Sequence, residues 1–487
     1  MDDVQTFGVS VAIAAVIVLL AVLSNRVSER VQVPSPAFFL AGAAIVATTV
    51  SSVTSPTRIT VERVVTVALV VILFDGGMHI GLTRLRAALG TVALVGVVGT
   101  FLTVAATALA LHAIFGFGWY VALLVGTAVA PTDPAVVFSV LGKREVAEPA
   151  GTILEGESGA NDPVGIALMA SLIAAGGISG SAFGHVAWEF TLEMAVGLVI
   201  GAVGGRALLW FMRAVPLPSE GLYSLRTLAS ALLLYGVTTV AHGSGFLAVF
   251  VAGILVGDER APYKREIERF HSALASLGEI VAFIVLGLTI DLTSLGSTDV
   301  WVPGVVVALL LLVVIRPLLV GACLLPSAMT RNERGFVLFA GLKGAVPILL
   351  GSLLLQTDVH DANRYYGIVV VVVMFSVFVQ GGLTPTVARV LKVPMRTVEP
   401  EPWALGVRLR DEPQGVHRMT VARGSDADGK RLDEVALGDG AWVSFAVRHG
   451  RLIPVQGDTE LAAGDELLIL ADPGLESDLR KVFARRK

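Results

Sequence analysis

Two carboxylates, a serine and an amide stand together in one apolar stretch of the chain, in residues 157–163 (ESGANDP). Ser158 and Asp162 are four residues apart, so in a helix their side-chain oxygens lie on the same face. Pro163 removes a backbone N–H and disturbs the turn before it, which leaves carbonyl groups in need of partners. Oxygen ligands of this kind can replace the water around a monovalent cation. The pattern predicts a cation site at Asp162 and Ser158; the alternative is a polar network that only joins helices.

Two other apolar stretches are interrupted by residues that break helices. The first holds Thr132-Asp133-Pro134, and Asp133 and Pro134 suit the first positions of a new helix. The second is residues 341–347 (GLKGAVP), with Lys343 in the gap. Paired breaks in two halves of a chain indicate an inverted-repeat transporter with its binding site near the membrane midplane. Asp133 is expected to offset the positive ends of half-helices and Lys343 the negative ends; the alternative at Asp133 is a simple proline kink.

Further charged residues lie deep in apolar stretches. Arg316 needs a carboxylate partner there, for which Glu157 is the first candidate and Asp75 the second. Asp75 lies about 18 Å along its helix from the preceding basic residue, so it is predicted to stand away from the outer surface. The sequence leaves the roles of Glu279 and His242 open.

The composition places these residues in a membrane protein. Of 487 residues, 54% are hydrophobic and 16% are charged, and the mean hydropathy is +0.78. Soluble proteins carry about 25% charged residues. The net charge of −4 gives no basic surface for nucleic acid, and the single cysteine, Cys323, excludes a disulfide framework and a cysteine metal cluster. The sequence therefore excludes a soluble enzyme, a disordered protein and a nucleic-acid-binding protein, and it predicts no cofactor.

Thirteen stretches are apolar enough to be candidate membrane spans, the ninth of them short. They lie near residues 6–24, 34–52, 61–79, 88–113, 118–141, 150–175, 189–212, 223–242, 244–257, 272–292, 301–324, 334–356 and 365–391. The odd-numbered loops between them carry 13 Lys and Arg residues, whereas the even-numbered loops carry three. Because basic loops stay in the cytoplasm, the N-terminus is predicted outside and the C-terminal part inside.

The C-terminal part is a separate, water-soluble region. From residue 400 to 487, 28 of 88 residues are charged, against 48 of the 399 before them. We predict an all-α polytopic membrane domain of about 13 helices with inverted repeats and two crossing broken helices in 1–395, a linker in 396–406, and a small cytoplasmic α+β domain in 407–487. Strands are predicted near 418–422, 441–448, 452–455 and 466–471, a turn at His449-Gly450 and a helix at 475–484. So small a core favours a partner domain or dimerisation.

Four motifs, in chain order, resemble those of monovalent cation/proton antiporters of the NhaP/NHE type. They are Phe74-Asp75-Gly76-Gly77, Thr132-Asp133-Pro134, Glu157-Ser158-x-x-Asn161-Asp162 and Gly341-Leu342-Lys343-Gly344. The resemblance covers nearly all of residues 1–395. The last roughly 80 residues resemble the C-terminal regulatory domain of TrkA/RCK proteins. Together they are similar to bacterial potassium/proton antiporters of the cell volume regulation type.

The resemblance implies roles for individual residues. Asp162 would bind either the cation or the proton, with Ser158 and the backbone carbonyl of Thr132 as further ligands. Asp75 would be a cation ligand or an acid beside the site, and Asn161 would mark electroneutral exchange. Lys343 stands where the family often has arginine. The protein would be a homodimer in the bacterial inner membrane, and its C-terminal domain would sense a small, nucleotide-like cytosolic ligand or serve stability and assembly.

The sequence therefore predicts an antiporter that exchanges K⁺, with Na⁺ as a further candidate, for H⁺ by alternating access. Competition between the cation and the proton for Asp162 would couple the two fluxes. Two alternatives are a gated ion channel with an RCK-type sensor and a membrane sensor without transport. No selectivity-filter repeat supports the channel.

Overall fold

The protein, in a computed structural model, forms two compact units, Met1–Ala404 and Leu405–Lys487. The structure describes all residues except 1–4, 6, 10, 13, 14, 17, 21, 25–32, 50–55, 142, 143, 178, 179, 260, 398–414, 436, 438, 439, 449, 450 and 485–487. Of the predicted linker 396–406, only Arg396 and Thr397 are described, and they belong to a strand. The predicted turn at His449-Gly450 lies outside the described residues.

The first half of the membrane domain is a series of apolar helices. A helix satisfies its backbone groups internally, which is what a chain in hydrocarbon requires. They are α1 (Ser35–Thr49), α2 (Arg58–Ala93), α3 (Gly99–Phe115), α4 (Trp119–Val129), α5 (Pro134–Leu141), α6 (Ala150–Ala175) and α7 (Gly180–Ala214). A short strand, β1 (Arg144–Val146), stands between α5 and α6.

The second half repeats this construction. Its helices are α8 (Glu220–Val240), α9 (Gly245–Gly257), α10 (Lys264–Gly287), α11 (Thr298–Cys323), α12 (Arg331–Phe339), α13 (Ala345–Leu354) and α14 (Ala362–Val390). A strand, β2 (Met395–Thr397), follows α14 and pairs with β1 in a two-stranded antiparallel sheet. Short π-helical stretches lie within α11 and α14.

The thirteen predicted segments all correspond to helix in the described residues. By length and composition, six helical runs among those residues qualify as membrane spans, and α1, α9 and α13 are shorter apolar helices. The fifth predicted segment is split into α4 and α5, and the twelfth into α12 and α13. The third and fourth segments join in α2, which changes direction at Gly81, where φ is 66° and ψ is 166°. The N–H of Thr83 in the restarted helix donates to the carboxylate of Asp258.

Arg226 on α8 has a structural role that the sequence analysis missed. Its guanidinium donates at 2.8–3.3 Å to the carbonyl oxygens of Phe211 and Met212, in the last turn of α7, and of Val215, the residue after the helix end. It also lies about 5 Å from the ring centres of Phe211 and Tyr223. The cation therefore closes the end of α7 and joins it to α8.

The C-terminal unit contains a four-stranded antiparallel sheet and one helix. Its elements are β3 (Val416–Thr420), β4 (Trp442–Arg448), β5 (Arg451–Ile453), β6 (Glu466–Leu470) and α15 (Glu476–Phe483). The strand order is β3-β6-β4-β5. All four strands and the helix fall within two residues of their predicted positions. Arg448 donates to both oxygens of the buried Asp465 at 2.6–2.7 Å, and these hydrogen bonds raise the pKa of the Arg448 guanidinium.

Candidate cation-binding site

The two interrupted helices contact each other at their breaks. The N–H of Asp133, between α4 and α5, donates to the carbonyl of Leu342, between α12 and α13, at 2.8 Å. In the other direction, the Lys343 ammonium donates to the carbonyls of Ala130 at 2.8 Å and Pro131 at 3.1 Å. Residues 130–133 and 340–344 therefore form one crossing, which we call the helix crossing.

Lys343 closes the negative end of α4 at this crossing. Its side chain is buried, at 3% exposure, and its two acceptors are the carbonyls that follow the last residue of α4. The backbone N–H of Lys343 donates to the hydroxyl of Ser376 at 2.9 Å, and that hydroxyl donates to Gln380 at 3.1 Å. Gln380 in turn donates to the carbonyl of Phe339, the last residue of α12. A cation at C-terminal helix ends is favourable, as the helix dipole requires.

Asp133 closes the positive ends of both half-helices that leave the helix crossing. Its carboxylate accepts from the N–H of Ala135 at 2.9 Å, in α5. The carboxylate also lies beside the N–H groups of Val136 and of Ala345, which is the first residue of α13. The close approach needs glycine at position 344, because a Cβ atom there would overlap the Asp133 carboxylate. One side chain therefore caps α5 and stands at the N-terminal end of α13.

Asp162 lies beside the helix crossing with part of its carboxylate unsatisfied. Its exposure is 7%, and its Oδ1 atom has no hydrogen-bond partner among the described residues. The Ser158 hydroxyl lies close to this carboxylate, and Asp133 and Lys343 are its charged neighbours. Because a buried carboxylate oxygen without a partner is costly, this atom is a natural place for a ligand.

Asn161 holds the helix crossing against α6. Its side-chain amide donates to the Thr132 hydroxyl at 2.8 Å, and its carbonyl accepts from the Thr132 N–H at 3.4 Å. Thr132, Ser158 and Asp162 are all buried and are brought together in this way. The structure thus assembles in one place three of the four predicted cation ligands.

Glu157 and Arg316 form a closed ion pair near this group. The guanidinium donates to both oxygens of Glu157, at 2.7 and 3.3 Å, and both side chains are 3% exposed. Arg316 also donates to the carbonyls of Leu338 and Val337, at the end of α12. Arg316 therefore contacts the first of the two partners that the sequence suggested, and this pair leaves no unsatisfied charge.

Asp75 lies in a different polar group, between α2 and α10. It accepts from the Ser272 hydroxyl at 3.0 Å and lies 3.4 Å from the His79 ring. Its charged neighbours are His79 and Glu268, whereas those of Asp162 are Asp133 and Lys343. The described polar contacts of the fourth predicted ligand are therefore with Ser272 and His79 and not with the other three.

Glu279, whose role the sequence left open, lies on the same helix as Ser272. Its Oε1 atom is buried and has no hydrogen-bond partner in the described part of the chain, and its charged neighbour is Asp133. The Ser376–Gln380 pair was missed altogether. Two polar residues four apart in the apolar α14 were the available signal.

The fold and the site define a polytopic membrane protein whose two broken helices cross beside a buried, incompletely satisfied carboxylate. The profile of the sodium/hydrogen exchanger transmembrane family matches residues 13–390, so the chain belongs to this family, which is one of antiporters. The TrkA-C domain profile matches residues 416–484.

Named relatives and a solved structure agree with this assignment. The K(+)/H(+) antiporter NhaP2 of Shewanella sp. (strain MR-4) is 31% identical over 497 residues, covering 99% of this chain and 84% of the relative. The K(+)/H(+) antiporter NhaP of Alkalimonas amylolytica is 29% identical with the same coverage. The sodium proton antiporter MjNhaP1 from Methanocaldococcus jannaschii, at pH 8, shares the fold with a TM-score of 0.68 and 20% identity, over 79% of this chain and 99% of that one.

Proposed function

We propose that the protein is an electroneutral K⁺/H⁺ antiporter in which Asp162 binds the cation and the proton in turn. The observation that carries this proposal is the unpartnered Oδ1 atom of Asp162, buried beside the helix crossing. A cation or a proton can satisfy that oxygen, but one carboxylate cannot hold both well at once. Competition for it, combined with alternating access, couples the two fluxes.

The charged side chains near Asp162 already have partners within the protein, which supports Asp162 as the exchanging group. Glu157 is bonded through both oxygens to Arg316. Asp133 caps α5 and stands at the start of α13, and Lys343 donates two of its three protons to backbone carbonyls. In our proposal these three residues keep their charge throughout the cycle and shape the site without carrying the ion.

The further ligands are proposed to be the Ser158 hydroxyl and the backbone carbonyl of Thr132. Asn161 binds both the hydroxyl and the N–H of Thr132, so it fixes the backbone of the helix crossing next to Asp162. Of the two roles expected for Asp75, a cation ligand or an acid beside the site, we favour the acid. Its side chain is 14% exposed and has Ser272 and His79 as partners of its own.

The preference for K⁺ is part of the proposal. Two relatives that cover 99% of the chain are named K(+)/H(+) antiporters, while the family name refers to sodium. An outward N-terminus, a cytoplasmic C-terminal domain, the bacterial inner membrane, cell volume regulation, a homodimer and a nucleotide-like ligand remain predictions. Neither the channel nor the non-transporting sensor gains support from the reported relatives.

The test is exchange by the purified full chain in proteoliposomes that carry a pH gradient. Addition of K⁺ should dissipate the gradient, and Na⁺ at equal concentration should act more weakly. A channel would pass K⁺ as an electrical current without moving protons, and a sensor would produce no flux. Either of these results would refute antiport, and a stronger response to Na⁺ would refute only the ion assignment.

A further inference from the structure

A small sheet joins the helix that carries Asp162 to the segment leading into the C-terminal domain. β1 pairs with β2 in the register Arg144↔Thr397, Glu145↔Arg396 and Val146↔Met395. The N–H of Ala147 extends the pairing by donating to the carbonyl of Pro394 at 3.0 Å. Both strands belong to the membrane domain.

The two strands lie next to the cation site on one side and next to the C-terminal domain on the other, in chain order. β1 follows α5, which begins at the helix crossing, and three residues separate it from α6, which carries Ser158 and Asp162. β2 is the last described element before β3, the first strand of the TrkA-C domain. A change in tension or position at β2 therefore reaches β1 without passing through any other element.

The sheet is attached directly to the first turn of α6. The carboxylate of Glu148, two residues after β1, accepts from the N–H of Thr152 at 3.3 Å and from the Thr152 hydroxyl. Val146 in β1 is 3% exposed. A Cβ atom at Gly151 would lie 2.6 Å from the Val146 carbonyl oxygen, so the strand and the helix are in close contact. A movement of β1 must move the start of α6.

The same carboxylate also faces the β2 side of the sheet. Glu148 lies 3.9 Å from the guanidinium of Arg396 in β2 and 3.8 Å from that of Arg84 in α2. These contacts are long and solvent-accessible, so each contributes little. A sheet of two three-residue strands is itself marginal. Such a contact can be made or released by the modest free energy that a regulatory domain supplies.

We propose that the β1–β2 sheet is the coupling element through which the TrkA-C domain controls cation binding at Asp162. This inference rests on the proposed antiport function. Formation of the sheet holds the start of α6 in one position, and its release lets α6 take another. Sites coupled in this way typically change each other's affinity by roughly 5–150-fold.

A reversible crosslink tests the proposal within one protein sample. Hydrogen bonding at the pair Ala147–Pro394 makes Val146–Met395 a non-hydrogen-bonded pair, with about 4.5 Å between Cα atoms, which a disulfide can span. Val146→Cys and Met395→Cys are introduced with Cys323→Ser, and a protease site is placed within 398–414. The C-terminal domain is cut off in detergent, and the K⁺ dependence of exchange is measured after reconstitution, with the disulfide formed or reduced.

We expect removal of the C-terminal domain to change the apparent KM for K⁺ only when the disulfide is not formed. In the reduced protein, cutting should change the apparent KM for K⁺ by roughly fivefold or more. In the oxidised protein it should change little, and a reductant should restore the response. If the oxidised protein responds fully to cutting, or if cutting has no effect in either state, the coupling proposal is wrong. Absence of exchange in the unsubstituted full chain would instead refute the proposed function.

A backbone substitution gives a second, independent test in the full chain. Hydrogen-bonded and non-hydrogen-bonded pairs alternate along an antiparallel sheet, so Glu145–Arg396, next to Val146–Met395, is a hydrogen-bonded pair. Arg396→Pro therefore removes a backbone donor from the sheet. This variant should show the KM of the cut protein and should not respond further to cutting. Arg396→Ala is the matched control, since it removes the guanidinium but keeps the N–H. Additive effects of Arg396→Pro and of cutting would contradict the proposal.

Discussion

Glu157 and Asp162 stand five residues apart on α6, and both are almost fully buried, yet their surroundings differ. Glu157 has a guanidinium bonded to both of its oxygens, whereas Asp162 keeps one oxygen without a partner in the described part of the chain. Depth in the membrane therefore does not separate a structural charge from a functional one. The separating property is whether the folded protein satisfies the charge by itself.

The comparison predicts opposite responses when each carboxylate loses its charge. Asp162→Asn should reduce K⁺/H⁺ exchange to the level of protein-free liposomes, because the amide cannot release a proton. The variant should melt at the same or a higher temperature than the parent, since a neutral side chain costs less to bury without a partner. Exchange and melting are measured on the same purified sample.

Asp291→Asn is the control for this variant, because Asp291 is exposed and only caps a single turn, Leu292–Leu295. It should keep the exchange rate of the parent. Near-normal exchange by Asp162→Asn would show that another group carries the ion, and the difference between the two carboxylates of α6 would lose its functional meaning.

The second prediction concerns the closed pair. Arg316→Ala leaves Glu157 as a buried charge without a partner, which should cost about 3–5 kcal/mol of stability. Glu157→Gln in the same chain should recover part of this loss. Thermal melting in detergent and the yield of folded protein measure both effects. If the double variant is no more stable than Arg316→Ala, the bonds from Arg316 to Leu338 and Val337 outweigh the ion pair.

The sequence predicted those features that depend on local chemistry or on the sign of a charge. Apolar stretches located the helices, and proline and glycine located both breaks. The expected roles of Asp133 and Lys343 as opposite charges at helix ends follow from the helix dipole, and the hydrogen bonds at the helix crossing have that arrangement. Arg316 had to pair with some carboxylate because the membrane leaves no alternative.

Other features depend on which helices pack together, and the sequence did not contain that information in readable form. Asp75 contacts Ser272, almost 200 residues away, instead of the Asp162 group. Arg226 closes the preceding helix only because α7 and α8 lie side by side. The β1–β2 sheet joins three-residue strands about 250 residues apart, too short to give a periodic signal.

Glu279 allows a finer test of what an unsatisfied charge does. It resembles Asp162 in having a buried oxygen without a described partner, but it lies on α10 next to Asp133. We predict that Glu279→Gln raises the apparent KM for K⁺ severalfold in assays at alkaline pH, where the buried carboxyl group is ionised and adds negative charge near the helix crossing, while the maximal rate changes little. Glu266→Gln, at an exposed position in the first turn of the same helix, is the control and should leave both constants unchanged. Complete loss of exchange in Glu279→Gln would make Glu279 an ion carrier equal to Asp162.

The last prediction is that exchange carries no electrical current. It follows from counting the carboxylates that can release a proton during the cycle. Glu157 is held by Arg316, and Asp133 stands at the N-terminal ends of α5 and α13, so neither is expected to release a proton during the cycle. With Glu279 predicted above to tune only the affinity, Asp162 is then the single exchanging carboxylate near the helix crossing, with the neutral Asn161 beside it. One carboxylate exchanges one proton for one monovalent cation, and no net charge moves.

Asp75 is the residue on which this count depends. The hydrogen bond from Ser272 and the approach of the His79 ring to 3.4 Å favour a fixed charge, but a second exchanging carboxylate would add a second proton. Exchange in proteoliposomes should therefore be indifferent to an imposed membrane potential, and currents on a solid-supported membrane should be near zero while pH changes confirm flux. A transport current that scales with flux would contradict the single-carboxylate mechanism. If Asp75→Asn abolished that current, Asp75 would be the second proton carrier.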